Sequence, residues 1–500
     1  MTRTTTDVAI VGAGIWGLSA AHFLRRLAPR ARVRLFEAAP RAGGAISTER
    51  RRDFLFEPGP NSLLDNSPEL RRLLQETGLA PLVVEARPEA ARCRFIVRGG
   101  RLRRLPMSPP ALLRSDLFSL SAKLRLACEP FIGRAPADIE ETLEQFVLRR
   151  LGREFLDYAV DPFVSGTFAG VPAELCVRSA FRRLWDLEQS HGSLIRGAVK
   201  LARERKRAAN ATDGGLAGQV QAGPSGKMLT FAGGLQTLVD TLSEPMDDDL
   251  TTGVRLTSIH REDSGFVLRF DGDTEPLEVA ACTVLLTIPA HAYAGVQFGF
   301  DIPAADLRDI PYPPVTAVFF GYDQHPLVDP PDGFGFLVPR VEGRRILGTL
   351  WNSSAFPGRA PDGGAAFTTY VGGHRQPEIA LWDDDRLIDA VVDELRDLMG
   401  MTVAPDEVIV RRWERAIPQY VIGHPTVMTA VDALEEAQPG LHVGGNFRGG
   451  ISVGDCVSRA CESAQKIAAS LAGCLGDRID CGRHADGDLV AGGKVAPPDA

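Results

Sequence analysis

The sequence predicts an α/β fold in which a discontinuous, Rossmann-like dinucleotide-binding domain encloses a mixed α+β substrate domain and a helical insertion. Three observations carry this reading. A short apolar strand, Val8 to Val11, runs into Gly12-Ala13-Gly14-Ile15-Trp16-Gly17 and then into apolar residues at helical spacing up to Leu27. A second apolar strand, Val33 to Phe36, leads to Glu37, which stands 20 residues beyond Gly17. Towards the other end, Leu441-His-Val443 reads as a further apolar strand, followed by Gly444-Gly445-Asn446 and a last helical stretch from Asp455 to Leu471. The nucleotide domain is therefore expected to close from both ends of the chain.

The first element follows from glycine chemistry. Gly12 permits the tight turn, Gly14 lets the backbone approach a pyrophosphate, and Gly17 lets the helix pack closely on the strand. The positive end of that helix then faces the phosphates. Glu37 is placed to accept hydrogen bonds from a ribose 2′-hydroxyl, which disfavours a 2′-phosphorylated nucleotide. The continuation Arg41-Ala-Gly43-Gly44 completes a Glu-x-x-x-Arg-x-Gly-Gly arrangement. This arrangement resembles the flavin-containing amine oxidase superfamily, and it favours FAD over NAD. No cysteine or histidine lies in a recognisable flavin-linking motif, so the expected FAD is non-covalent.

Composition bounds the remainder. Five hundred residues, 44% hydrophobic, with 51 glycines, can bury large cores and suggest two to four domains. A formal charge of −8 argues against nucleic acid as a partner. Arg92, Arg94, Arg98, Arg101, Arg103 and Arg104 nevertheless cluster in one short stretch, which leaves room for a local anion site. The eight cysteines show no metal spacing, so no metal is expected and reduced thiols in a cytoplasmic setting fit best. No signal peptide is expected ahead of the first strand, and no apolar run is long enough to span a bilayer. Membrane contact would be peripheral.

Along the chain, residues 1–88 form the first part of the FAD-binding domain, with a turn-rich Glu57-Pro-Gly-Pro60-Asn61-Ser62 and a helix from Glu69 to Thr77. Residues 89–101 supply a substrate-domain hairpin turning at Gly99-Gly100. Helical periodicity in Ser115–Glu129, Ile139–Leu151 and Glu154–Val160 makes 102–180 a helical insertion. Residues 181–225 return to the substrate domain and end in a polar, mobile loop. Phe231-Ala-Gly-Gly-Leu-Gln opens a helix in the second FAD-binding part, 226–290, where Val254–Phe270 and Leu277–Thr287 read as strands. The substrate domain resumes over 291–435 with a helix around Leu387–Met399, the third FAD-binding part covers 436–474, and 475–500 is a glycine- and proline-rich tail expected to be disordered.

Phe168-Ala-Gly170, Glu174-Leu-Cys-Val-Arg178-Ser179-Ala-Phe181, Gly333-Phe-Gly-Phe-Leu-Val-Pro339, Ile417-Pro-Gln-Tyr420 with Gly423-His424, and Gly450-Ile-Ser-Val-Gly-Asp455-Cys456 together resemble the oxygen-dependent protoporphyrinogen oxidases. The likeness extends from about Asp7 to Leu471. It implies an apolar cavity beside the isoalloxazine, faced by Arg94, Phe95, Gly166, Phe334 and Leu337. Arg94 falls in the family's Arg-Phe-x-x-x-Gly-Gly motif, where the arginine pairs with a substrate propionate; read from spacing alone, it better suits a solvated hairpin. Without the resemblance, Phe334 and Leu337 better suit plain core. For FAD, the resemblance adds Gly44, Ala45, Gly59, Pro60, Asn61, Ser62, Leu256 against adenine, Trp413, Asn446, Ile451, Ser452 and Val453 to the glycine turn, Glu37, Arg41 and Gly43. Asn61 is a candidate to orient substrate or polarise the ring. His424 reads better as a packing residue than as a base. Ser165, Thr167 and Arg448 depart from the family's pattern.

The implied reaction removes six electrons from a porphyrinogen in three rounds, with dioxygen as acceptor. Protoporphyrinogen is favoured over coproporphyrinogen, whose two further carboxylates need more cations. An amine oxidase, a desaturase or a non-catalytic flavoprotein scaffold are the alternatives. Ferrochelatase and a second copy of the chain enter as possible partners. Leu117, Phe118, Leu120, Leu124 and Ala127, with Lys123 and Arg125, suggest a membrane-facing stripe on the insertion.

Overall fold

The computed structural model of the chain describes residues 3–211, 227–263, 265–272, 276–330 and 332–483. Its first strand, Arg3–Val11, pairs in parallel with Val33–Phe36 on one side and Leu277–Leu286 on the other. Leu441–Val443 joins Leu277–Leu286, also in parallel, so segments from both ends of the chain share one eight-stranded sheet. Apolar runs buried on both faces are what such a sheet requires. The helix Ile15–Leu27 covers one face and packs against the final helix, Val453–Arg483. Ala20 and Ala21 on the first helix and Ala460 and Ala464 on the last are buried in this contact layer, where small side chains let the two axes approach. Phe36, Phe270, Leu286, Val431 and Phe447 fill the other face.

The second sheet has seven strands in the order Glu407–Trp413, Val315–Tyr322, Ala365–Gly372, Ile346–Trp351, Gly335–Leu337, Phe95–Arg98, Arg101–Arg104. Gly335–Leu337 and Phe95–Arg98 run parallel and all other neighbours antiparallel. Gly99 and Gly100 turn the hairpin with φ of 61° and 70°, the two positive values that a tight two-residue turn needs. The helix Asp384–Met399, capped by the Asp383 carboxylate accepting from the Arg386 N–H at 3.0 Å, packs on this sheet through Leu387, Val391 and Leu395.

Three expectations change. The helical insertion does not begin at 102, because Arg101–Arg104 is the edge strand of the second sheet, and helices do not stop at 180. Arg182–His191 and Leu194–Ala211 continue the bundle, anchored by the buried Glu188, which bonds Arg149 and Arg150, and by Glu129, which accepts the Leu194 and Ile195 N–H groups. The expected helix Ser115–Glu129 is shorter, Leu120–Ala127, because the Ser119 hydroxyl accepts the Ala122 N–H and starts it there. Leu117 and Phe118 precede that cap and are core, Phe118 stacking on Phe155 at 4.3 Å. Finally, the last helix runs to Arg483, past the expected start of the tail. Residues 484–500 and the loop residues 212–226 lie outside the described residues.

Candidate active site

The turn after the first strand has the shape a pyrophosphate needs. Gly12 holds φ of +104°, and a Cβ there would meet the Thr287 Oγ1 at 2.7 Å; a Cβ on Gly17 would run into the Gly12 carbonyl oxygen. At Gly14, by contrast, a Cβ would meet nothing within 4 Å. Two glycines close the turn and the third leaves open space over it. Glu37 stands at the rim, its two carboxylate oxygens accepting from the Ala13 N–H at 2.7 Å and the Ala39 N–H at 2.8 Å. Arg41 donates to the carbonyls of Ala42, Gly44 and Ile46 at 3.0, 2.9 and 2.9 Å, drawing the Gly43-Gly44-Ala45 loop around itself. The Gly43 N–H then donates to the Ala13 carbonyl at 2.8 Å, so this loop and the glycine turn are one unit. Leu256, on Val254–Glu262, is buried with Ala9, Val11 and Phe36 in the core beneath this site.

The loop Glu57–Ser62 is tied to the second sheet at several points. The Trp413 indole N–H donates to the Pro58 carbonyl at 2.9 Å. Asn61 donates one amide proton to the Gly59 carbonyl at 3.3 Å and the other to the Tyr370 hydroxyl, while its oxygen accepts from Asn352 at 3.0 Å. Both amide protons are thus engaged by the protein. The polar end of Asn61 thereby holds the loop in place. Trp413 likewise acts on this loop through its indole N–H. A Cβ on Gly59 would strike the Ala45 carbonyl, which keeps the two cofactor loops in contact.

The arginine hairpin resolves into separate fates. Arg98 pairs with Glu154 at 2.5 Å and lies over the Tyr158 ring. Arg103 pairs with Asp116, Arg104 reaches the Cys93 sulfur, and Arg92 and Arg101 are exposed. Arg94 alone of the six is largely buried with no acidic partner: it lies over the Phe334 ring at 5.6 Å, touches the Met228 sulfur at 3.7 Å, and its Nε has no hydrogen-bond acceptor. Burial holds this guanidinium below its ordinary pKa. A buried charge in this condition can pair with an anion. Phe95 stacks obliquely on Trp351 at 5.3 Å, and its strand pairs with the one bearing Leu337. Gly166, on the helix Asp161–Phe168, sits against Leu337 so closely that a Cβ would displace the leucine. Phe334 also packs on Ala90 and Phe356, and Leu337 on Ile96 and Phe118, so both are partly buried against core clusters.

The closing motif completes the site from the far end of the chain. Asn446 accepts from the Tyr420 hydroxyl at 2.5 Å, which also accepts from the Gly450 N–H at 2.9 Å. Ser452 caps the final helix: its hydroxyl accepts the Asp455 N–H at 3.1 Å, Val453 is buried beside it, and Ile451 is half-buried. Arg448 turns away from the motif, pairing with Glu435 at 2.7 Å and with Asp432. Ser165 and Thr167 bond back to the carbonyls of Pro162 and Phe163. His424 is buried, stacked on Tyr420 at 4.3 Å and bonded to the Phe447 carbonyl at 2.9 Å. Burial lowers its pKa, and it works as packing.

Sequence reading missed Thr287, Thr48, Met228, Asn352, Arg359 and Tyr370. None lies in a quoted motif: five lie on or beside strands and Arg359 in the connection between two, and only the tertiary fold brings them together.

Comparison with known proteins agrees with this geometry. Residues 17–468 match the family of flavin containing amine oxidoreductases. The chain is 34% identical over 475 residues to a chloroplastic protoporphyrinogen oxidase of Nicotiana tabacum, covering 92% of this chain and 85% of that one. It is 27% identical to the coproporphyrinogen III oxidase of Bacillus subtilis, covering 90% and 96%. A crystal structure of a protein assigned as a protoporphyrinogen oxidase from Exiguobacterium sp. 255-15 shares the fold, with a TM-score of 0.73 at 24% identity over 94% of this chain and all of that one.

Proposed function

This chain belongs to the flavin containing amine oxidoreductases, among the protoporphyrinogen oxidases, and from that premise we propose that it oxidises protoporphyrinogen IX to protoporphyrin IX with dioxygen as the acceptor. It is an FAD-dependent enzyme, and the glycine turn fits that cofactor: Gly12 and Gly17 allow no side chain, while Gly14 leaves room above. Bound FAD supplies the two-electron acceptor; the protein supplies orientation and an apolar enclosure. Three rounds move six electrons and six protons to three dioxygen molecules, giving three of hydrogen peroxide.

The observation that carries the substrate assignment is Arg94. A buried guanidinium against an aromatic ring, lacking a carboxylate of its own, supports recognition of a carboxylate attached to a flat apolar body. Arg98, Arg103 and Arg104 have protein partners, and Arg92 and Arg101 are exposed. Within the hairpin, a single buried arginine without a carboxylate of its own favours the dicarboxylic porphyrinogen over the tetracarboxylic one, for which two more buried carboxylates would need partners. Aerobic porphyrin fluorescence with both porphyrinogens, flavin content matched, tests this. Protoporphyrinogen should turn over with the higher kcat/KM, and a preference for coproporphyrinogen would overturn the assignment.

No helix among the described residues is long and apolar enough to cross a membrane. Peripheral contact is supported by Leu113, Leu120, Leu124 and Phe131 on the insertion, which are 71%, 72%, 60% and 84% exposed. Leu120 and Leu124 belong to the expected stripe, whereas Leu117 and Phe118 are buried and drop out of it. Lys123 and Arg125 are turned to backbone carbonyls within the insertion.

A further inference from the structure

Behind the loop that carries Pro58–Asn61 lies a buried cage with Glu57 at its centre. One Glu57 oxygen accepts from the Thr48 hydroxyl at 2.8 Å; the other accepts from the Leu235 N–H at 2.9 Å and from Arg359 at 3.2 Å. Arg359 also donates to the Thr230 hydroxyl at 2.6 Å. Glu57 is 2% exposed and Arg359 3%, and among the described residues this is the one ion pair with both partners so buried that joins the cofactor region to the second sheet. The motif Phe231-Ala-Gly-Gly-Leu-Gln is built around it. Gly234, at φ of +87°, passes so close that a Cβ would press on Thr48 and lie 2.9 Å from the Glu57 Oε1. Residue 359 belongs to the connection between Ile346–Trp351 and Ala365–Gly372, the second of which carries Tyr370, the partner of Asn61.

We propose that Glu57 and Arg359 are positioning residues that act as one clamp, fixing the Pro58–Asn61 loop, and with it the ring-bearing end of the cofactor site, at a set height against the substrate sheet. Neither touches substrate. Their geometry explains why a charge pair is retained here although burial opposes it: an apolar pair would fill the space without defining the angle between Glu57 and its three donors. Burial in fact pushes the Glu57 carboxyl up to about 7, against the pull of Arg359.

The inference rests on the porphyrinogen oxidase reading only for its activity arm. Arg359→Met, Glu57→Gln and the double variant are loaded with FAD and compared with wild type by visible circular dichroism of the bound flavin and by kcat and KM. The expected result is an altered flavin dichroism in all three, kcat lower by about 10- to 100-fold with KM little changed, and no further loss in the double variant. Arg359→Lys should recover part of kcat. If Arg359→Met does not fold, Arg359→Lys and Glu57→Gln carry the comparison. A folded, flavin-loaded variant with wild-type dichroism and wild-type kcat would overturn the clamp, as would fully additive losses in the double variant. A wild-type enzyme inactive on porphyrinogens would overturn the functional reading, and the dichroism arm would still decide the clamp.

Discussion

The glycine turn at Gly12–Gly17 and the arginine hairpin at Arg92–Arg104 are both short runs of one residue type, and they were not equally readable. In the turn, each glycine's role follows from its place: Gly12 for its backbone angle, Gly14 for open space, Gly17 for close packing. In the hairpin, six like residues meet unlike fates that depend on Glu154, Asp116 and Phe334, all distant in sequence. Backbone geometry is a local property and is written at the position that needs it. The partner of a long charged side chain is not.

The sharpest test of the first half is Gly17→Ala against Gly14→Ala. A methyl at 17 collides with the Gly12 carbonyl, and overpacking of this kind costs about 1–3 kcal/mol or more. Gly17→Ala should lower the melting temperature of the apoprotein and purify without flavin. Gly14→Ala should melt like wild type and lose flavin only, because its methyl occupies space meant for the ligand. Equal melting losses in both would erase the distinction drawn between them.

The hairpin is tested next. Arg94→Ala should raise KM for the porphyrinogen by roughly 30-fold or more, from about 2–5 kcal/mol for a stranded buried charge partner, with kcat changing less because the contact forms in ground and transition states alike. Arg94→Lys should recover part of it, keeping the charge without the planar fork. Arg98→Ala should instead lower the melting temperature and leave KM alone. Steady-state fluorescence and thermal denaturation, run on all three, would merge the two classes if Arg98→Ala also raised KM.

Glu37→Ala follows, expected to weaken FAD retention by about one to two decades, as for a charged hydrogen bond of about 1.5–3 kcal/mol. Because Glu37 also holds the Ala13 and Ala39 N–H groups, part of this loss comes from a slackened turn. Flavin affinity by fluorescence quenching measures it, and an unchanged affinity would remove Glu37 from the site. The smallest effect is expected at the surface. Leu120→Glu/Leu124→Glu should reduce flotation with anionic vesicles severalfold at unchanged melting temperature, whereas Leu117→Glu should destabilise the fold. Wild-type flotation of the Leu120/Leu124 variant would dismiss the exposed patch as a lipid contact.

What the sequence made legible follows the same division. The βαβ unit that joins the first strand to Val33–Phe36, the Gly99-Gly100 hairpin and the return of Leu441–Val443 all rest on periodicity or on special backbone angles, and all are found. The start of the helix at Leu120 depended on a serine cap that apolar spacing overrode. The helices from Arg182 to Ala211 carry many polar residues, and what ties them to the bundle is buried Glu188 and Glu129, whose partners lie elsewhere in the chain. At the candidate site, the hydrogen bonds of Asn61 to Tyr370 and Asn352 were not legible, because the second sheet brings those partners in from far along the chain.

The packing of Ile15–Leu27 against Val453–Arg483 also sets an order of events during synthesis. Trp16, Leu18, Phe23 and Leu24 belong to a core that includes Val457, Ala460 and Ile467, so one side of the first helix stays uncovered on the ribosome until nearly the whole chain has emerged. A nascent chain cut short before Leu441 lacks both the last parallel strand and the helix that packs on Ile15–Leu27. Such a truncated product would present the apolar back of its first helix to chaperones and proteases.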